Sequence, residues 1–192
     1  MGADEEGTFN TLRACHQSID GCVAEKGGRI VATGSDSVLA EFASAVEAVR
    51  CALAMQEGIA TCNIDLPEER CMRFRIGINL GDVLISGDYI LGDGVNITAR
   101  LEQVAEPDSI YISGTVYDQV RGKLNIGFTD LGEKSVKNID QPVRTYRVTS
   151  AGSSAPENVA NSESAESAMP TIAVLPFDYM SKDEERNISS TA

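Results

Sequence analysis

Arg73-Phe74-Arg75-Ile76-Gly77-Ile78-Asn79-Leu80-Gly81-Asp82-Val83 is the stretch on which the fold turns. Apolar and polar residues alternate along it, which predicts a half-buried strand over 73–83 with Phe74, Ile76 and Ile78 on one side. Gly81-Asp82 and Gly87-Asp88 punctuate the chain there, and a helix is expected from about 94 to 105, closed by Pro107-Asp108.

Toward the N-terminus, residues 43–60 set Val46, Val49 and Leu53 on one stripe thickened by alanines, a second helix ending before Asp65-Leu66-Pro67. Residues 29–33 and 38–42 read as short strands around the turn Gly34-Ser35-Asp36-Ser37, a hairpin. Residues 5–26 carry Phe9, Leu12, Ile19 and Val23 at helical spacing, with Thr8 as a candidate N-cap and Gly27-Gly28 as the stop. Toward the C-terminus, a strand at 110–113, a short helix at 115–121 and strands near 126–130 and 143–148 complete a mixed α+β pattern.

A chain of 192 residues with 42% hydrophobic residues, 17 Gly, 6 Pro and no Trp suits one soluble domain plus a tail. Its net charge of −13, with no Lys/Arg cluster, argues against nucleic-acid binding, which needs clustered cations to displace counterions from phosphates. Five cysteines without CxxC spacing and a single His argue against a zinc site or a disulfide framework, so the thiols are expected to be reduced and mostly buried. The start MGADEEGTFN has no signal-peptide pattern and no apolar run approaches the roughly 20 residues of a membrane span, so a cytoplasmic chain without membrane attachment is expected. Residues 150–169 are Ser, Ala, Asn, Glu and Gly with almost no large apolar side chains, a flexible linker between a domain at 1–149 and the start of a C-terminal segment at 170–192.

The densest chemistry is Gly92-Asp93-Gly94-Val95-Asn96-Ile97-Thr98-Ala99-Arg100-Leu101-Glu102. Asn96 and Arg100 lie four apart and so share one helix face, an amide beside a guanidinium. Arg offers a planar fork of donors to phosphoryl oxygens, and the amide can orient a sugar. The same spacing also describes an ordinary solvated helix face. Asp36, in the hairpin turn, can ligate a divalent cation through one oxygen, or serve only as a turn-forming residue. One carboxylate is too few for a two-metal site.

Several blocks in order carry a resemblance: Lys26-Gly27-Gly28-Arg29-Ile30, Asp36-Ser37-Val38-Leu39-Ala40-Glu41-Phe42, Phe74 through Val83, Gly92 through Arg100, Asp130-Leu131-Gly132 and Pro142-Val143-Arg144-Thr145-Tyr146. From residue 1 to about 148 the chain resembles the class III adenylate/guanylate cyclase catalytic domain, in the bacterial adenylate cyclase subgroup that often continues into tetratricopeptide repeats. The resemblance implies a ferredoxin-like nucleotide cyclase fold, a mostly antiparallel mixed sheet with flanking helices, working as a homodimer or as a heterodimer with a complete protomer. It implies conversion of ATP (or GTP) to the cyclic nucleotide and pyrophosphate, with Mg2+ or Mn2+ as cofactor. By motif, Asp36 matches the second metal aspartate, and Asn96 and Arg100 match the catalytic pair that one protomer lends its partner. Lys137 resembles the phosphate-binding lysine.

Departures from the family pattern are as informative. The first strand, which carries the first metal aspartate, precedes the opening helix in the family and has no counterpart ahead of it here. The base-selecting lysine maps to Ala32, and the base-selecting aspartate maps to Tyr89 with Asp88 beside it. Met1 reads as internal, as in a chain truncated at its N-terminus, and Pro170-Thr171-Ile172-Ala173-Val174-Leu175-Pro176-Phe177 resembles the segment that follows the domain in repeat-bearing relatives. Pro176 counts against a central-strand position for that run, yet its 20-residue tether could carry it into the vacant slot, which would bring Asp178 near the place of the lost aspartate. Three functions follow: an adenylate cyclase of intracellular signal transduction, impaired or inactive in this chain; a non-catalytic dimerising or regulatory cyclase-homology module; and a gene fragment.

Overall fold

The computed structural model describes residues 5–34, 37–81, 84–86, 89–134, 142–149 and 171–178. Helix α1 (Glu5–Glu25) leads to the strands β1 (Arg29–Thr33) and β2 (Ser37–Phe42), then to helix α2 (Ala45–Asn63). Strand β3 (Arg73–Leu80), a small hairpin β4 (Leu84–Ser86) and β5 (Tyr89–Leu91), and helix α3 (Asp93–Val104) follow. The chain continues through β6 (Ser109–Ser113), α4 (Gly114–Val120), β7 (Gly127–Lys134), β8 (Val143–Thr149) and β9 (Thr171–Asp178). The expected α+β elements are present.

Seven strands form one sheet in the order β1-β2-β9-β3-β6-β8-β7, and β4-β5 pair separately. β3 and β6 are parallel, while the other neighbouring pairs in the large sheet are antiparallel. The slot between β2 and β3 is filled by β9, which runs antiparallel to both, with Leu39 opposite Val174 on one side and Gly77 opposite Val174 on the other. Pro176 leaves its mark on this arrangement. The ladder to β3 passes from Gly77↔Val174 to Phe74↔Phe177 without pairing Pro176, which has no N–H to donate.

Phe74, Ile76 and Ile78 are fully buried against α2 and α4 in the main core, which also takes Cys15, Ile19, Val23, Val49, Met55, Ile59, Val116 and Val120. The strand is not half-buried as its alternation suggested. Gly77 and Asn79, on the opposite side, are covered by α3, so both faces of β3 are closed. On that second face Leu101 and Tyr111 form a smaller apolar cluster with Ala105.

Several expectations shift. Thr8 lies inside α1, which starts at Glu5, and so is not its N-cap. Gly27-Gly28 does stop the helix: Gly27 has φ 68°, its N–H donates to the Ala24 carbonyl, and the Gly28 N–H donates to the Val23 carbonyl at 2.8 Å. On α2 the buried residues are Ala45, Ala48, Val49, Cys51, Ala52, Met55 and Ile59, with Val46 and Leu53 only at the edges. Small residues face inward there, which lets α2 lie close to α1. Of the cysteines, Cys15 and Cys51 are buried and Cys22, Cys62 and Cys71 half-buried, all as free thiols. Among the described residues no helix is long and apolar enough to cross a membrane.

Candidate active site

Helix α3 carries Asn96 and Arg100. Its inward face is Gly94, Thr98, Leu101 and Glu102, which leaves Asn96 exposed and Arg100 half-buried on the outer side. The helix lies very low on β3 because β3 has no side chain beneath it at the crossing. A Cβ at Gly77 would stand 2.5 Å from the Thr98 carbonyl oxygen and 2.7 Å from the Glu102 nitrogen. A Cβ at Gly81 would stand 3.2 Å from the Gly94 Cα.

The first turn of α3 has no side-chain cap. It is held instead through the Gly94 carbonyl, which accepts from Thr98 Oγ1 at 2.7 Å and from the buried Asn79 amide at 3.3 Å. Asp93 adds a negative charge at the positive end of the helix. Further along, the buried Glu102 carboxylate meets the Arg75 guanidinium of β3 at 3.3 Å. Arg100 donates to Gln103 Oε1, one turn on. The amide and guanidinium are thus mounted on a helix pinned to the sheet at three levels. Gly77, Asn79, Thr98 and the Arg75–Glu102 pair were not singled out from sequence as supports. The available signal was the run of Gly77, Asn79 and Gly81 on one side of β3, all small or polar where a covering helix must come close.

The remaining expected site residues are placed as follows. Ala32 is exposed on β1, just past a bulge between Ile30 and Ala32, in a hairpin clasped by Arg29 and Glu41 at 2.8 Å. Tyr89 begins β5, opposite Ser86, and β5 comes against β1, so the strands bearing the two positions expected from sequence to select the base are neighbours. Asp36, Asp88 and Lys137 lie outside the described residues. Among the described residues no three His, Cys, Asp or Glu side chains gather as a metal site.

The two C-terminal motif blocks have a structural explanation. Asp130 accepts from the Gly132 N–H at 2.8 Å and pairs with Arg144 at 2.6 Å across β7 and β8, where the register shifts between Asp130 and Glu133. Gly132 has φ 74°, a conformation open to glycine. The Arg144 hydrogen bond, and then that from Gly132, hold the Asp130 carboxyl below the ordinary carboxylate range. Tyr146 stacks on Tyr117 of α4 with ring centroids 4.0 Å apart. These residues fasten the far edge of the sheet.

Comparison with known proteins agrees with this architecture. Residues 8–150 match the model of the adenylate and guanylate cyclase catalytic domain. The chain is 40% identical over 189 residues to "Putative adenylate cyclase 3" of Rhizobium meliloti, covering 97% of this chain and 32% of that protein, about a third of its length. Among solved structures it is similar to an adenylate/guanylate cyclase/hydrolase from Silicibacter pomeroyi, with 35% identity, a TM-score of 0.71, and 78% of this chain and 89% of that one covered. The adenylyl cyclase CyaB from P. aeruginosa shares the fold, with a TM-score of 0.65 at 24% identity over 79% of this chain and 87% of that one. With that match spanning most of residues 1–150 and the same sheet and helices in place, the chain belongs to the adenylate and guanylate cyclase catalytic domain family.

Proposed function

We propose that this chain is an adenylate cyclase protomer that contributes to conversion of ATP to cyclic AMP and pyrophosphate from the partner side of a dimer. The observation that supports this reading is the outer face of α3, where Asn96 and Arg100 stand on a helix fixed by Gly77, Asn79 and Thr98. In the reaction the ribose 3′ oxygen attacks the α-phosphorus and pyrophosphate leaves. Arg100 would offset charge growing on the phosphoryl oxygens, and Asn96 would orient the ribose. Rigid mounting matters because such groups act only if they need not reorganise as charge develops.

Asp36 is the residue that would ligate Mg2+ or Mn2+, whose charge helps neutralise the triphosphate. Lys137 would meet a phosphate, and Ala32, Tyr89 and Asp88 would line the purine. Ala32 offers no hydrogen bond to a base, so GTP remains an alternative substrate. The signalling role and cytoplasmic location follow from the same reading.

Ala32 and Tyr89 at the base-selecting positions favour a second reading, a module that dimerises and regulates without catalysis. One experiment separates the two. The purified chain is incubated with ATP and Mn2+ alone, and then mixed with a complete family protomer whose own partner-side arginine has been removed. Cyclic AMP from the mixture, lost with Arg100→Ala, is the expected result. A mixture that forms the heterodimer yet makes no cyclic AMP would leave the regulatory reading standing.

A further inference from the structure

Four of the five cysteines lie on the packed helices α1 and α2. The helices come close where Gly58 of α2 faces Ser18 of α1, a Cβ at Gly58 falling 2.8 Å from the Ser18 hydroxyl. About one turn before Ser18 on α1 stands Cys15, and about one turn after Gly58 on α2 stands Cys62, as antiparallel packing requires. Cys62 acts on the Cys15 thiol electrostatically, as neighbours across this helix contact do. Cys15 has no exposed surface, while Cys62 is half-buried in the last turn of α2, where solvent reaches it. On the other side of Ser18, Cys22 lies near the buried Cys51, and Lys26, Glu25 and Glu47 surround that second pair.

We propose that Cys15 and Cys62 form an oxidation site at which a hydroperoxide converts the paired thiols into an intrachain disulfide joining α1 to α2. The half-buried partner, Cys62, reacts first. Cys62 sulfur bonds to one peroxide oxygen as the O–O bond breaks, giving a sulfenic acid and releasing the alcohol, or water when the oxidant is hydrogen peroxide. Cys15 sulfur then attacks the Cys62 sulfur, and the S–O bond breaks. The hydroxide leaves with the Cys15 proton as a second molecule, water. Two thiols lose two electrons and the hydroperoxide gains them.

Cys15 has no surface for an oxidant to reach, whereas Cys62 does, so Cys62 meets the oxidant and Cys15 acts as the resolving sulfur. Gly58 is the enabling residue, since a larger side chain there would hold the helices apart. The bond would close a loop that contains β1 and β2, tying the base of the hairpin that carries Ala32.

The test uses the full reduced chain, treated with hydrogen peroxide and then with N-ethylmaleimide, followed by intact mass and peptide mapping. The expected product is two hydrogens lighter, contains a peptide linking Cys15 to Cys62, and returns to two free thiols with dithiothreitol. Cys62→Ser should abolish that link and leave Cys15 reduced. Cys15→Ala should leave Cys62 trapped as a dimedone adduct, and because Cys62→Ser alters a half-buried side chain at the edge of the core, the test survives if Cys15→Ala folds poorly. A dominant Cys22–Cys51 link, only intermolecular links, or a wild-type chain whose Cys62 is over-oxidised without cross-linking would overturn the proposal.

Discussion

Gly77 lies directly beneath Thr98, with room for a hydrogen atom but not for a methyl group between strand and helix. Replacing Gly77 with Ala must lift α3 or bend β3. The expected cost is about 1–3 kcal/mol, as for other overpacked sites, read as a lower urea midpoint with an unchanged slope. The same variant should lower any Arg100-dependent activity further than its stability loss explains, because the helix that carries Arg100 moves. An unchanged midpoint would show that the close crossing is not tight in solution.

The Arg75–Glu102 pair should behave as a unit. Arg75→Leu or Glu102→Leu alone strands a charge at the strand–helix contact and is expected to cost about 2–4 kcal/mol, toward the low side of buried pairs because the Arg75 side chain keeps 23% of its surface in water. The double variant should cost less than the sum of the singles. Additive losses in a double-mutant cycle would mean that the two side chains act separately.

Alkaline pH should unfold the chain partly through its core thiols. Burial pushes Cys51, like Cys15, up to about 12 from an ordinary 9.0. The unfolded thiol loses its proton first as pH rises, so the contribution to stability is complete below about 9 and falls away between 9 and 12. Cys51→Ala should flatten that part of the stability profile while leaving the region below pH 8 parallel to wild type. An identical slope above pH 9 in the variant would refute the assignment.

Strand β9 should be needed by both neighbours. Val174→Pro removes an N–H from the middle of the central ladder, at a position that faces Leu39 and Gly77. Each lost buried bond costs about 1–3 kcal/mol. Amide exchange should accelerate at 38–41 in β2 and at 77–79 in β3 together. Unaltered exchange at both would show that β9 is not held there in solution.

Much of the fold was legible because its elements carry strong local patterns. Phe74, Ile76 and Ile78 announced β3, and Gly27-Gly28 closed α1 through the backbone bonds that glycine permits. What alternation could not convey was the second cover on β3, since Gly77 and Asn79 look like exposed positions until a helix is laid across them. The β4-β5 hairpin was hidden for a similar reason: Gly87-Asp88 is turn chemistry, but three-residue strands leave too little pattern on either side. At the site, the four-residue spacing of Asn96 and Arg100 placed both on one face of α3. The tertiary contacts that fix α3, from Asn79 and Arg75, come from a strand more than a dozen residues earlier and have no local signature. Pro176 pointed away from a central strand, yet β9 sits there because only one side of the ladder has to forgo its bond.

Because β9 is separated from β2 by more than 120 residues and from β3 by about 90, the middle of the sheet closes through the most sequence-distant strand pairings among the described residues. Such closure is slow relative to local pairing, and β9 is also the last described element to leave the ribosome. Until it does, β2 and β3 each present an edge of unpaired N–H and C=O groups to solvent or to each other. The nascent chain is then at its most adhesive, and its yield in cells should depend on how quickly residues 171–178 arrive.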